Sequence, residues 1–241
     1  MKYLDLNLPF PAANLACDEA LLDLAEEGSG GEVLRFFASA TYFVVVGYAN
    51  AIDREVNEPA CASDSLEILR RCSGGGTVVQ GPGCLNYTLV LSITERSELN
   101  TIASTNQFIM ERQRAALENL LDKPVRIAGH TDLALDNLKF SGNAQRRRRN
   151  FCLFHGSILL DFELPLIERY LRMPSKEPDY RKNRAHREFL TNLHRSEADV
   201  KLALRTAWDA DELLEATPVL HQATTQLVNT KYSLPGWNRK F

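Results

Sequence analysis

An arginine pair running into three glycines, Arg70-Arg71-Cys72-Ser73-Gly74-Gly75-Gly76-Thr77, is the first place where this chain could do chemistry. Glycines let a backbone approach a ligand closely and adopt positive φ. Consecutive amides can turn inward around an anion, and guanidinium groups offer carboxylate or phosphate a fixed fork of donors. A surface hairpin with solvated arginines would use the same residues. The segment is neither a Walker phosphate loop, which needs a following Gly-Lys-Ser/Thr, nor a Gly-x-Gly-x-x-Gly dinucleotide turn. A second stretch is Lys139-Phe140-Ser141-Gly142-Asn143-Ala144-Gln145. Read as a strand, it sends Leu138 and Phe140 to one face and Lys139 and Ser141 to the other. The lysine could then reach a cleft, although an isolated lysine is ordinarily a solvated surface group. The third stretch, His155-Gly156-Ser157, gains meaning only from its neighbours.

Arg146–Arg149 is a basic run that could touch phosphate, RNA or an acidic protein. Such a run is ordinarily a solvated loop. Four charges in a chain of net charge −3 give no case for nucleic acid. Cys72, flanked by arginines, and Cys152, near His155, could each be a nucleophile if a neighbour ionised the thiol. Buried packing thiols are the plainer reading. The five cysteines show no Cys-x-x-Cys or Cys/His ligand spacing, against a disulfide frame or structural zinc. With 241 residues, 44% apolar and 24% charged, the chain can bury a sizeable core. Its longest apolar runs, Tyr42–Gly47 and Tyr87–Ile93, fall far short of the roughly 18 residues that span a bilayer. The acid in Met1-Lys2-Tyr3-Leu4-Asp5 does not suit a secretory signal, so a cytoplasmic protein is expected, with no membrane partner.

The elements that must position these residues are read from periodicity and turn chemistry. Asn14 can cap a first helix, with Leu15, Ala16, Cys17, Ala20, Leu21, Leu24 and Ala25 as its apolar face and Gly28-Ser29-Gly30-Gly31 as its stop. Val33–Phe37, Tyr42–Val46, Leu66–Arg71, Tyr87–Ile93, Val125–Ile127 and Ser157–Asp161 read as strands. Thr105–Leu121 has helical spacing. Asp132–Leu135 and Leu138–Ser141 flank Asp136-Asn137, a two-residue hairpin turn. From Leu164 onward helices dominate, with periodicity through Ala198–Leu214, and Pro174–His194 is the least apolar stretch and the candidate loop. The pattern predicts an α+β fold, helices packed on a mixed, largely antiparallel sheet, with residues 1–241 forming one domain.

Taken in order, these segments resemble the lipoate–protein ligase A family of the biotin/lipoate ligase superfamily. Asn14–Leu21 resembles the family's first helix, and Val44–Asn50 its strand-turn before an RR-x-SGGG segment that Arg70–Thr77 matches closely. Asp132-Leu133 with Lys139–Ala144 matches its DL…K-x-SG-x-A segment, His155–Leu160 its HG-[ST]-x-LL, and Tyr232–Trp237 the end of its large domain. The likeness runs nearly the whole chain. It implies a biotin/lipoate ligase-like fold and a two-step reaction: lipoate and Mg-ATP give lipoyl-adenylate, and a lysine of a lipoyl domain or H-protein-like acceptor takes the acyl group. By this resemblance Lys139 is the catalytic residue at the carboxyl and phosphoryl oxygens. Arg71 and Gly74–Gly76 (Gly74, Gly75, Gly76) border the acyl pocket and mixed anhydride. Asp132 bears on ATP or its Mg2+, and His155 lines the pocket. Ser73, Thr77, Ser141, Gly142, Ala144 and Gly156 complete the substrate- and adenylate-binding set.

Two departures bear on the expectation. Gln80 stands where the family's bacterial ligases often carry a histidine, and the family's small C-terminal accessory domain does not follow Phe241. A separate accessory subunit is therefore an expected partner. The rival is an octanoyl transferase that moves octanoate from acyl carrier protein through a cysteine thioester; Ala128–Asp132, where those relatives place the cysteine, has none. A biotin ligase lacks support because its GRGR-x-GR loop is absent, and a non-catalytic lipoyl-domain binder would leave Arg71 and Lys139 without a task.

Overall fold

The computed structural model describes residues 1–241. In chain order the strands are β1 (Lys2–Asp5), β2 (Val33–Phe37), β3 (Phe43–Val46), β4 (Glu67–Arg70), β5 (Val78–Gln80), β6 (Cys84–Ser92), β7 (Arg126–Ala128), β8 (Asp132–Leu135), β9 (Leu138–Arg147), β10 (Phe151–Leu159) and β11 (Glu212–Leu213). The helices are α1 (Pro11–Glu26), α2 (Ile52–Glu55), α3 (Glu58–Ser63), α4 (Ile102–Leu121), α5 (Pro165–Tyr170), α6 (His186–Phe189), α7 (Glu197–Ala207), α8 (Pro218–Leu227) and α9 (Pro235–Asn238). The large sheet runs β11-β1-β2-β6-β10-β9-β8-β7, antiparallel from β2 to β7 and parallel at the β1 edge. A small sheet, β4-β3-β5, stands apart from it. The mixed, largely antiparallel α+β architecture agrees with the sequence.

Every residue of β6 is buried, because helices cover both faces of the sheet there. On one face Leu85, Tyr87, Leu89 and Leu91 of β6 meet Ile109 and Leu117 of α4 and Val200 and Leu204 of α7. On the other, Val90 and Leu153 meet Cys17, Leu21 and Leu22 of α1 and Leu220 of α8. The opposite flank of α1, through Leu15 and Ala16, packs on Phe43 and Val45 of the small sheet. Helix α1 is thus wedged between the sheets, and the space left along it is where a ligand can enter.

Several local expectations change. Helix α1 starts at Pro11, whose ring presets φ for a first turn. Asn14 is therefore no cap. Its side chain lies inside the helix, bonding Leu8 and Arg35. Strands β2 and β3 are adjacent in sequence yet lie in different sheets. Helix α4 begins earlier than its apolar face suggests, at a Thr101/Ser104 capping box. The Asp136-Asn137 turn has positive φ at both residues, 49° and 74°, as a two-residue hairpin turn requires. Helix α7 stops at Ala207, and Asp209 turns left-handed at φ 49°. Glu212–Leu213, expected as helix, instead pairs with Lys2–Tyr3 as edge strand β11.

An arginine in the apolar strand β2 needs a partner, and Arg35 finds it in α1. Its guanidinium is fully buried, 2.5 Å from Asp18 Oδ1, and donates to Asn14 and to the Leu6 carbonyl. Burial alone would raise the Asp18 carboxyl, but Arg35 and a hydrogen bond from His155 together outweigh it and hold it below the usual carboxylate value. With the folded pKa lowered, the stabilisation is complete above the ordinary 3.8 and is lost as the pH falls through the lower folded value. Asp18→Asn is expected to cost about 3–5 kcal/mol at neutral pH, because it strands a buried charge. In urea unfolding its deficit against the wild type should shrink as the pH is taken below 3.8. A deficit constant from neutral pH into that acid range would show that the charge pair is not its source.

Candidate active site

Between the small sheet, α1 and the middle of the large sheet lies a cavity of about 770 Å³. The glycine loop forms one lip. Arg71 is fastened beneath it: its guanidinium donates to the carbonyls of Val45, Gly74 and Gly76 and to Ser73 Oγ. One N–H of its five remains free of these bonds. Burial lowers its pKa to about 10, which keeps it charged at neutral pH. The arginine therefore holds the loop's carbonyls more than it offers a fork to a ligand, as the sequence had suggested. With those carbonyls drawn inward, the amides of Gly74, Gly75, Gly76 and Thr77 donate to no protein acceptor, which is the condition for an anion nest. Gly75 permits the turn: its φ is +84°, and a Cβ there would meet the Arg71 guanidinium at 2.9 Å.

Ser73 is fully buried under the loop, its Oγ 2.5 Å from His155 Nε2. The Nδ1 of His155 is 3.0 Å from Asp18 Oδ2. The order serine–histidine–aspartate matches a nucleophilic triad. Here, however, the hydroxyl also accepts from Arg71 Nε and does not line the cavity, so no carbonyl reaches it. The relay ties the loop to β10 and α1.

Lys139 enters from the far wall. A bulge in the β8–β9 pair sets Ala134 opposite Lys139 and Leu133 opposite Ser141, leaving Phe140 as the extra residue. Simple alternation would put Lys139 on the face opposite Gly142. The bulge instead brings the lysine over Gly142, where an added Cβ would lie 2.8 Å from Nζ. The amine bonds Asp132 Oδ1 at 2.8 Å, and Tyr180 OH donates to Oδ2 of the same carboxylate. Asn143 accepts from Tyr87 OH and donates to the Thr131 carbonyl, which pins the segment carrying Asp132 against β9.

Arg71, Gly75, Gly76, Thr77, Asp132, Lys139, Ser141, Gly142, Ala144, His155 and Gly156 all line this one cavity, whereas Ser73 and Gly74 do not. Asp18, Asn143 and Ser157 stood in the quoted segments without an assigned role, and Tyr180 and Asn86 were missed. Asn14 and Asp18, four apart on an apolar helix face, were a usable signal for the first. Nothing local announces Tyr180, which reaches Asp132 across the fold. The basic run is not a free loop: Arg147 bonds Thr105 and Leu99, Arg148 bonds Asp23, and Arg146 lies over the Tyr48 ring. All five cysteines are buried and none lines the cavity; burial pushes Cys72 up to about 12 and Cys152 to about 11. No group of three His, Cys, Asp or Glu side chains is placed to hold a metal ion, and no helix is long and apolar enough to cross a membrane.

Comparison with known proteins fits this geometry. A probable lipoate-protein ligase A of Mycoplasma genitalium is 29% identical over 68% of the chain, and the chain spans about half of that relative, 47% of its length. An octanoyltransferase LipM of Brevibacillus brevis is 24% identical, with 98% of each chain aligned. A solved lipoate-protein ligase A bound with ATP superposes with a TM-score of 0.85 over 99% of this chain and 98% of its own, at 24% identity. The bi-partite lipoate protein ligase of Thermoplasma acidophilum, solved with its E2 lipoyl domain, gives 0.83 over 99% of this chain and 95% of its own, at 22% identity. Those two likenesses establish the fold. Residues 10–205 match the family model of the lipoyl protein ligase A/B catalytic domain, so the chain belongs to that family of lipoate ligases and octanoyltransferases.

Proposed function

We propose that this chain is the catalytic part of a lipoate–protein ligase. The observation that carries the proposal is one cavity, without a thiol, lined both by Lys139 and by Gly75, Gly76 and Thr77, whose amides bond nothing in the protein. In the first step a carboxylate oxygen of the acid attacks the α-phosphorus of ATP, and pyrophosphate leaves. In the second, the amine of an acceptor lysine attacks the acyl carbon of the mixed anhydride, and AMP leaves. Both steps gather negative charge on oxygens. A fixed ammonium and fixed amides stabilise that charge more in the transition state than in the ground state. Asp132 and Tyr180 hold the ammonium in place. Mg2+ would come with the triphosphate, held by phosphate oxygens and water, with Asp132 as the carboxylate at hand. The acceptor is a lipoyl domain or an H-protein-like carrier. The bi-partite Thermoplasma ligase supports a second, accessory chain as a partner.

The rival reading, transfer of octanoate from a carrier protein through a cysteine thioester, follows from the Brevibacillus relative. It needs an ionisable thiol at the cavity, and burial raises all five thiols here. The deciding experiment is pyrophosphate release from Mg-ATP and lipoate, with and without an apo lipoyl domain, followed by mass spectrometry of that domain. Lipoate-dependent pyrophosphate with a lipoylated domain is expected. Acyl transfer from octanoyl carrier protein without ATP use would replace the proposal with its rival.

Lys139→Ala is expected to lower adenylate formation by about 10²–10³, the effect of removing one such donor; wild-type turnover would remove the lysine from the mechanism. Gly142→Ala separates position from presence. The Cβ crowds only the far end of Lys139 and makes an ordinary contact with Asp132 Oδ1 at 3.6 Å, so stability should hold or rise by about 0.4–1 kcal/mol, while turnover falls because the amine is pushed aside. Turnover rising together with stability would show that the amine has no fixed place to lose.

A further inference from the structure

The open amides of the glycine loop belong to successive peptide planes, and in a trans peptide the carbonyl and the amide point opposite ways. Whatever holds a loop carbonyl therefore aims the amide that follows it. Arg71 takes the Gly74 and Gly76 carbonyls, and so aims the amides of Gly75 and Thr77. The Gly74 and Gly76 amides depend on the other two carbonyls, those of Ser73 and Gly75.

Both of these meet the turn from Gly47 to Asn50. The Tyr48 amide donates to the Ser73 carbonyl at 2.8 Å. The Gly75 carbonyl lies against Gly47, where any added Cβ would strike its oxygen. Asn50 Nδ2 donates to Thr77 Oγ1 at 3.2 Å and ties down the far end of the loop. The turn itself is held by Arg70, which is fully buried and does not line the cavity. Its Nη1 donates to the carbonyls of Gly47, Tyr48 and Asn50, and its Nε to that of Asn238. Its backbone is anchored in turn, since Asn238 Oδ1 accepts from the Arg70 amide and Trp237 Nε1 donates to the Arg70 carbonyl. Every bond of this guanidinium goes to a backbone carbonyl. Burying a charge with no carboxylate beside it is costly where packing alone is needed, because an apolar side chain would serve.

We propose that Arg70 is a positioning residue for the anion nest, acting through the Gly47–Asn50 turn to aim the Gly74 and Gly76 amides, as Arg71 aims those of Gly75 and Thr77. The two arginines thus orient alternate peptides of one loop. The consequence for catalysis rests on the acyl-activating reading above, in which these amides meet charge on carboxyl or phosphoryl oxygens. When the turn slackens, a peptide plane can rotate, and an acceptor replaces a donor at the anion. Donors that are fixed before the reaction are the ones that lower its barrier, so the loss falls on rate.

The test uses the full chain as wild type, Gly47→Ala, Arg70→Met and Arg70→Lys. The amide resonances of Gly74, Gly75, Gly76 and Thr77 are followed by NMR as inorganic pyrophosphate is added. In parallel, kcat and KM are measured for lipoate-dependent consumption of ATP. In the wild type all four amides should shift. Gly47→Ala and Arg70→Met should lose most of the response at Gly74 and Gly76 and keep it at Gly75 and Thr77. Arg70→Lys should recover part of it, since an ammonium has three donors for the carbonyls of the turn. Gly47→Ala leaves the buried guanidinium in place, so the test stands even where Arg70→Met fails to fold. Its kcat should fall about 10–100-fold, less than outright loss of a donor, with KM for ATP changed by less than about twofold. No response in the wild type, equal losses at all four amides in folded Gly47→Ala, or a raised KM at unchanged kcat would overturn the proposal. The selective amide pattern without any ATP use would support the positioning role and sink the ligase reading. Lipoate-dependent ATP use with four amides that respond alike in every folded variant would do the reverse.

Discussion

The buried pair of Arg35 and Asp18 is the contact on which the site depends. Two charges removed from water are tolerated when further hydrogen bonds serve their remaining donors and lone pairs. Here Asn14 and the Leu6 carbonyl accept from the two terminal guanidinium nitrogens, leaving only Nε unpaired, and His155 meets the second carboxylate oxygen. His155 in turn meets Ser73, and Ser73 accepts from Arg71 beneath the glycine loop. One hydrogen-bonded line thus runs from β2 through α1 and β10 to the loop. Because α1 separates the two sheets, this line also sets the height of the cavity between them.

The loop shows how an anion site can be made by subtraction. A peptide chain carries donors and acceptors in equal number, so a bare glycine turn has no net preference for anions. Arg71 removes the acceptors by drawing in the Gly74 and Gly76 carbonyls, and the amides remain for a ligand. The positive charge contributes through the backbone. A lysine there would supply charge without the planar fork that reaches three carbonyls at once.

How far the sequence discloses this site depends on what each residue needs. The glycine loop stands out by type, whereas Lys139 and His155 are ordinary residues by themselves and gain a role only from the ordered set of segments and the family that set resembles. The helix–sheet alternation gives the fold class because apolar spacing is a local property. Geometry that arises from pairing is different. The bulge at Phe140 exists only in the register between β8 and β9, so strict alternation groups Lys139 with Ser141 and separates it from Gly142, over which it lies. The apolar Leu213 and Leu214 continue the α7 spacing by coincidence, although the helix has ended at Ala207 and the left-handed Asp209 turns the chain before them. Tyr180 reaches Asp132 from a stretch that composition marks only as polar loop.

The two charged halves of the cavity arise from different parts of the fold. The glycine loop belongs to the small sheet, and Lys139 to the large one. The Pro174–His194 segment ties back to the lysine strand, where the Thr191 amide donates to the Lys139 carbonyl. A ligand with negative charge at one point and an apolar tail would touch both sheets and the segment together, and would add attraction exactly where the free chain has only a gap. Electrostatic catalysis requires donors set before the reaction begins, because reorganising them costs what they would otherwise contribute. A loop latched from below and an ammonium paired with a carboxylate that Tyr180 holds meet that requirement, since neither needs the ligand to fix its position.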